Sequence, residues 1–169
     1  GIFRHLPEVC RDGGNLGARQ AMLAASYQAG FAFTRAGVGN VHAIAHTLGG
    51  LYDVGHGLAN AVLLPVVLED YGPAVYRRLA RLAEAAGLPG EDDAQKANAF
   101  IAAIRAMNQQ FRIPEGFSCI REEDLPQMAA WADAEANPTY PVPVIYDRAH
   151  FIRVIRRVML PAKREEQTP

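Results

Sequence analysis

Apolar residues recur every three or four positions over most of the chain, a spacing that is typical of amphipathic α-helices. The pattern predicts six or seven helices, which fall in the segments 16–33, 41–48, 57–70, 73–86, 93–111, 123–134 and 147–160. The one strand candidate, 142–146, has prolines at 141 and 143, which disfavour a place in a sheet. We therefore predict an all-α fold, a helical bundle-like domain with short connections.

Glycine and proline predict where several of these helices begin and end. Gly49 and Gly50 are expected to stop the segment 41–48, because glycine weakens a helix and favours its C-terminal end. Pro65 should kink the segment 57–70 or mark a new start within it. Pro73 suits the first position of the helix that follows.

The composition indicates one globular domain of ordinary size. The chain has 169 residues, of which 50% are apolar and 21% charged, and its net charge is -1, so we expect neither a nucleic-acid partner nor a membrane partner. The longest apolar run, 59–68, is too short for a bilayer, which requires about 20 residues. Cys10 and Cys119 lack any metal-binding spacing and predict reduced thiols in a cytoplasmic protein. The polar segment 163–169 is expected to be a disordered tail.

Three of the five histidines, His42, His46 and His56, lie within fifteen positions. A helix would place His42 and His46 on one face, where both could bind one metal ion. However, Ala43 stands where a zinc protease of the HExxH type has its general base. The histidines could instead be ligand-free residues of a helix surface, although the many glycines around them favour close approach of a ligand to the backbone. Asp53, the only carboxylate in this stretch, is expected to be a solvated turn residue.

The stretch GVGNVHAIAHTLGGLYDVGHGLANAVLLPVVL resembles the signature of the iron-containing (group III) alcohol dehydrogenases. The likeness includes three histidines, a Gly-Gly pair, His-Gly, Asn-Ala and Leu-Pro at matching spacings. Weaker similarity extends over the rest of the chain, including the helical segment before the signature and the Asn137-Pro138 pair before the last helix.

This resemblance implies the C-terminal, all-helical, metal-binding half of a dehydroquinate-synthase-like enzyme of two domains. In such enzymes one Asp and three His bind Fe(II), and an N-terminal α/β domain binds NAD or NADP. His42 and His56 match two of the metal ligands. His46 matches a residue beside the nicotinamide and the substrate, which implies a catalytic and cofactor-binding role. Glycerol dehydrogenases are relatives that use zinc, so Zn(II) is an alternative metal.

The chain departs from the family pattern in two respects. Gly55 stands where the family usually has proline before the second ligand histidine. The chain also has no glycine-rich phosphate loop of a nucleotide-binding domain and no Asp-x-x-x-His pair, since His5 has no aspartate four residues earlier. We therefore expect residues 1–162 to be a helical metal-binding domain truncated on its N-terminal side. The NAD(P)-binding domain and two of the metal ligands are expected to lie outside this chain.

The resemblance implies NAD(P)-linked oxidation of an alcohol to an aldehyde or ketone, or the reverse, by a longer protein. We expect that protein to form a homo-oligomer in the cytoplasm and the isolated chain to be inactive. The alternative hypothesis is a stand-alone helical module that binds a metal or a partner without redox activity.

Overall fold

The computed structural model describes residues 1–161, which contain eight α-helices, no strand and one isolated bridge between Phe117 and Met159. The predicted all-α class is confirmed. The chain divides into two compact units, Gly1–Val38 and the part from Gly39 onward. The predicted disordered tail, 163–169, and residue 162 lie outside the described residues.

The first unit is a pair of helices, α1 (Ile2–Arg11) and α2 (Leu16–Ala36), that pack against each other. The apolar pattern did not predict α1. Asn15 caps α2, because its side-chain oxygen accepts a hydrogen bond from the backbone N–H of Ala18 at 3.0 Å. The apolar stripe that predicted α2 is not buried in this structure: Leu23 is 73% exposed and Phe31 is 68% exposed.

The second unit contains six helices and the hydrophobic core. They are α3 (Asn40–Tyr52), α4 (His56–Tyr71), α5 (Tyr76–Ala86), α6 (Asp93–Gln110), α7 (Leu125–Ala136) and α8 (Arg148–Arg156). Helix α3 packs against α4 and α7, α4 also packs against α6 and α8, and α5 pairs with α6. The buried residues include Ile44, Leu63, Met128, Phe151 and Ile155. The segment that surrounds the histidines is therefore anchored in the core through α3 and α4.

The prediction that Gly49 and Gly50 end a helix is wrong. Helix α3 continues through both glycines to Tyr52, and Asp53 closes it in a left-handed conformation with a φ of 53°. The N–H of Asp53 donates to the carbonyl of Gly49, so a carbonyl at the end of the helix is satisfied there. Glycine within a helix costs only about 1 kcal/mol, which tertiary packing of α3 can offset. Asp53 is exposed, as predicted for a turn residue.

One prediction about proline is wrong. Pro73 does not begin the next α-helix: it lies in a 3-10 turn, Gly72–Ala74, and α5 begins only at Tyr76. Pro65 is buried in the middle of the continuous helix α4, so of the two alternatives predicted there the new start does not occur. Leu82, an apolar residue of α5, is 49% exposed.

The segment between α7 and α8 is irregular, as its prolines predicted, and polar contacts hold it. Asn137 donates to the carbonyl of Tyr146 at 2.8 Å, and the Tyr146 hydroxyl donates to Asp70 at 2.5 Å. His150 contacts the same Asp70 oxygen at 2.6 Å. Burial raises the pKa of Tyr146, so its hydroxyl remains a donor. These contacts join the connection and α8 to the end of α4.

Within residues 1–161, no helix combines the length and the apolar character needed to cross a membrane. Cys10 and Cys119 are both exposed and unpaired. Their lack of a disulfide agrees with the prediction made from their spacing.

Candidate metal centre

The fold brings the three predicted site histidines together. His42 and His46 lie one turn apart on α3, and His56 is the first residue of α4, after a short turn that contains Gly55. The ring centroids of His42 and His56 are 5.2 Å apart, those of His46 and His56 are 5.2 Å apart, and those of His42 and His46 are 6.0 Å apart. The histidine cluster, as we call these three residues, therefore lies where α3 and α4 meet.

Ring orientation distinguishes the pairs within this cluster. Two imidazole nitrogens that lie about 2.0–2.1 Å from one tetrahedral ion hold their ring centroids roughly 5 Å apart. The rings of His42 and His56 have this separation and are inclined at 55°. The rings of His46 and His56 are nearly parallel, at 19°. The separation and inclination of His42 and His56 suit a pair of ligands to one ion.

The cluster by itself is an incomplete metal site. Among residues 1–161, no group of three or more His, Cys, Asp or Glu side chains is arranged to hold a metal ion. A catalytic metal takes about three or four protein ligands. His42 and His56 fit two of these in donor type and spacing.

Asn60, one turn after His56 on α4, adds a constraint on that ligand. Its amide nitrogen lies 3.0 Å from Nε2 of His56 and also donates to the carbonyl of His56 at 2.9 Å. Because an amide nitrogen only donates, Nε2 of His56 is the acceptor in this contact, and a metal bound at Nε2 would take the place of this hydrogen bond. The side-chain oxygen of Asn60 is buried without a hydrogen-bond partner.

The environment of His42 favours the form of histidine that binds metals. Burial lowers the pKa of His42, and the imidazoles of His56 and His46 lower it further against an opposing effect of Glu135. A neutral imidazole has a free lone pair, whereas an imidazolium has none.

His46 has a carboxylate partner that sequence reasoning missed. Its Nδ1 lies 2.7 Å from Oε1 of Glu135, which is in the last turn of α7, and the hydroxyl of Tyr140 donates to the same oxygen at 2.7 Å. Glu135 is 89 residues from His46 along the chain, and no local pattern connects them. Only the packing of α7 against α3 brings the two side chains together.

The sequence matches one protein-family model and is similar to several dehydrogenases. Residues 1–159 match the model of the Fe-containing alcohol dehydrogenase family, C-terminal. The chain is 43% identical over 143 residues to 1,3-propanediol dehydrogenase of Klebsiella pneumoniae, with 80% of this chain and 36% of the relative covered. It is 36% identical over 160 residues to NAD-dependent methanol dehydrogenase of Bacillus methanolicus, with 90% and 42% covered.

Solved structures show a similar fold. A crystal structure of 1,3-propanediol oxidoreductase superposes with a TM-score of 0.87 at 37% identity, over 94% of this chain and 42% of that one. An alcohol dehydrogenase from Oenococcus oeni gives a TM-score of 0.86 at 32% identity, over 93% and 42%. The chain thus spans about two fifths of the length of these similar proteins.

Proposed function

Because the chain belongs to the Fe-containing alcohol dehydrogenase family, we propose that it is the metal-binding part of an NAD(P)-linked alcohol dehydrogenase. The observation that carries this proposal is the pair His42 and His56, whose rings lie 5.2 Å apart where α3 and α4 meet. Their separation and inclination suit two ligands of one ion. The supporting chemistry is that of neutral imidazole, which binds Fe(II) and Zn(II).

His42 and His56 would hold two coordination positions of the metal, and Asn60 lies beside His56. When bound, Fe(II) or Zn(II) acts as a Lewis acid on the oxygen of an alcohol or carbonyl compound, while the nicotinamide of NAD or NADP exchanges the hydride. We assign the movement of the alcohol proton to His46, the histidine of the cluster whose Nδ1 contacts the carboxylate of Glu135.

The substrate class that we propose is a small alcohol or the corresponding aldehyde. Its support is the similarity to enzymes named for 1,3-propanediol and methanol. We also propose NAD rather than NADP as the first cofactor to test, since one relative is named as NAD-dependent. The expected homo-oligomer and the cytoplasmic location remain part of this proposal.

The decisive experiment begins with the genomic reading frame that contains this chain. We expect the sequence before Gly1 to encode a nucleotide-binding domain and an Asp-x-x-x-His helix. The protein from that complete frame, loaded with Fe(II) or Zn(II), should reduce NAD or NADP with methanol, 1-propanol or 1,3-propanediol. The 169-residue chain alone should not do so above a heat-inactivated control.

Histidine variants of the complete protein test the assignment of roles. His42→Ala and His56→Ala should each lower the metal content and abolish turnover. His46→Ala should retain the metal and lower turnover by roughly 100-fold or more, the usual effect of losing a general acid–base group. His5→Ala, on α1, is the matched control and should resemble the unmodified protein. Loss of metal from the His46 variant, with retention in the other two, would refute the ligand assignment.

The alternative, a stand-alone helical module, makes the opposite prediction at the first step. In that case the reading frame would contain no second domain, and no combination of metal, cofactor and alcohol would give turnover.

A further inference from the structure

We propose that Glu135, held by Tyr140, is a positioning residue that keeps the proton of the neutral His46 ring on Nδ1 and leaves Nε2 as the free acceptor. The inference rests on the proposed function in one respect, which is that His46 moves the alcohol proton in the proposed reaction. The arrangement of the three side chains stands by itself and can be measured without metal, cofactor or substrate.

The hydrogen bonds determine the position of the proton. A carboxylate oxygen can only accept a hydrogen bond, so a contact of 2.7 Å between Oε1 of Glu135 and Nδ1 of His46 requires the proton on Nδ1. In a neutral ring, Nε2 then carries the lone pair. The proton of an alcohol would therefore be taken up at Nε2, while the Nδ1 proton stays with Glu135.

Tyr140 holds the carboxylate from a second direction. Its hydroxyl donates to Oε1 of Glu135 at 2.7 Å, and its backbone N–H donates to the carbonyl of Ala136 at 2.8 Å. Burial raises the pKa of Tyr140 to about 12, and the contact with Glu135 and the charge of that residue add to this effect. The phenol is therefore a donor at neutral pH, and one oxygen of Glu135 receives two donors that converge on it.

A negative charge at position 135 does not stabilise helix α7. The last turn of a helix disfavours negative charge, because the helix dipole is negative at that end. Asp133 lies in the same turn but has Arg148 at 3.1 Å as a cationic partner. Within residues 1–161, the only basic side chain within ion-pair distance of Glu135 is the imidazole of His46. The carboxylate of Glu135 therefore lies where the dipole of α7 disfavours it, and its partner there is the imidazole of His46.

The contact with Glu135 also fixes the plane of the His46 ring, as the carboxylate does in a His–Asp pair of a hydrolase.

The first test is the tautomer of His46 in this chain, read from the ¹⁵N shifts of both ring nitrogens by two-dimensional NMR. The sample is kept about two pH units above the ordinary histidine pKa of ~6.5, so that the rings are neutral. The signals of His46 are assigned by their loss in His46→Ala. We expect the proton on Nδ1; a ring with its proton on Nε2 would overturn the proposal from the unmodified chain alone.

Variants then identify Glu135 as the cause. Glu135→Ala should give a mixture of the two tautomers, with unchanged helix content by circular dichroism. Glu135→Gln should keep the proton on Nδ1, because its amide oxygen can accept from both Tyr140 and His46. Glu91→Ala, a change of an exposed glutamate elsewhere in the second unit, is the control and should leave His46 unaltered. A Glu135→Ala spectrum identical to that of the unmodified chain would refute the role of Glu135.

A kinetic test applies to the complete protein, if the proposed dehydrogenase activity is found. Glu135→Ala should lower kcat by roughly 10- to 100-fold, as for other residues that orient a histidine from behind. KM for the alcohol and the metal content should not change, because the hydrogen bonds of Glu135 go to His46 and Tyr140 and not to the proposed metal ligands. Loss of metal together with turnover would indicate a structural role instead and contradict the inference. Failure of the proposed function would appear differently, as an inactive unmodified protein with the His46 tautomer intact.

Discussion

Glu69 should be among the strongest electrostatic contributors to the stability of the second unit. It lies near the end of α4 and accepts two hydrogen bonds from Arg105 of α6, from Nε and Nη2, each at 2.8 Å. Nη2 of Arg157, just after α8, donates to Glu69 at 2.6 Å. One carboxylate thus joins three elements. Its replacement by glutamine removes the charge but keeps nearly the same volume.

The size of the effect follows from the exposure of the three groups. The side chain of Glu69 is 34% exposed and those of both arginines are 41% exposed, so solvent screens the charges considerably. A single exposed ion pair contributes about 0.2–1 kcal/mol to the free energy of unfolding. The two parallel hydrogen bonds from Arg105 place this network at the upper end of that range. We expect Glu69→Gln to lower the free energy of unfolding by about 1–2 kcal/mol, or the melting temperature by roughly 3–6 °C.

The pH dependence of this loss has a definite sign. Burial raises the pKa of Glu69, but the hydrogen bonds and charges of Arg105 and Arg157 outweigh burial and lower it overall. A carboxyl with a depressed pKa stabilises the folded state above its unfolded pKa of about 4.3. The contribution disappears as the pH falls through the lower, folded value. The difference in the free energy of unfolding between the unmodified chain and Glu69→Gln should therefore be largest at pH 7 and vanish in strong acid.

Calorimetry of both proteins at several pH values tests this reasoning. Glu123→Gln is the matched control, since Glu123 has only a single, loose contact of 3.7 Å with Arg121 and is 71% exposed. This control should melt like the unmodified chain. Added salt should reduce the difference in melting temperature between Glu69→Gln and the unmodified chain. An unchanged melting temperature at neutral pH, or a gap that persists in acid, would show that the network contributes little or acts through packing.

Four further predictions concern stability and surface. Tyr146→Phe removes a buried donor to a carboxylate and should cost about 2 kcal/mol in urea denaturation; equal midpoints would refute this. Gly116→Ala should destabilise by about 1–3 kcal/mol, because a Cβ there would lie 2.3 Å from the carbonyl of Val158. Gly50→Ala meets no atom within 4 Å and should instead leave thermal stability equal or higher. Replacement of Leu23 and Phe31 by glutamine should reduce binding of an apolar dye without loss of helix content, since both side chains are exposed on α2.

The helices were predictable because their signals are local. An apolar residue every three or four positions and a capping residue such as Asn15 or Asp147 act within one or two turns. The same locality explains the errors. Gly49 and Gly50 carry a real local penalty, but α3 is held by α4 and α7, and the helix ends instead at Asp53.

By itself the sequence determined the all-α class, most of the helices and the identity of His42, His46 and His56 as the candidate site, because residue type and spacing carry that information. Only the tertiary structure decided which rings of the cluster are inclined towards each other and which are parallel, since those angles depend on how α4 starts after α3. It alone placed Glu135 and Tyr140 behind His46, a contact across 89 residues of chain that no periodicity encodes. It also decided that the stripe on α2 faces outward, because hydrophobic spacing shows that a helix has an apolar face but not what that face meets.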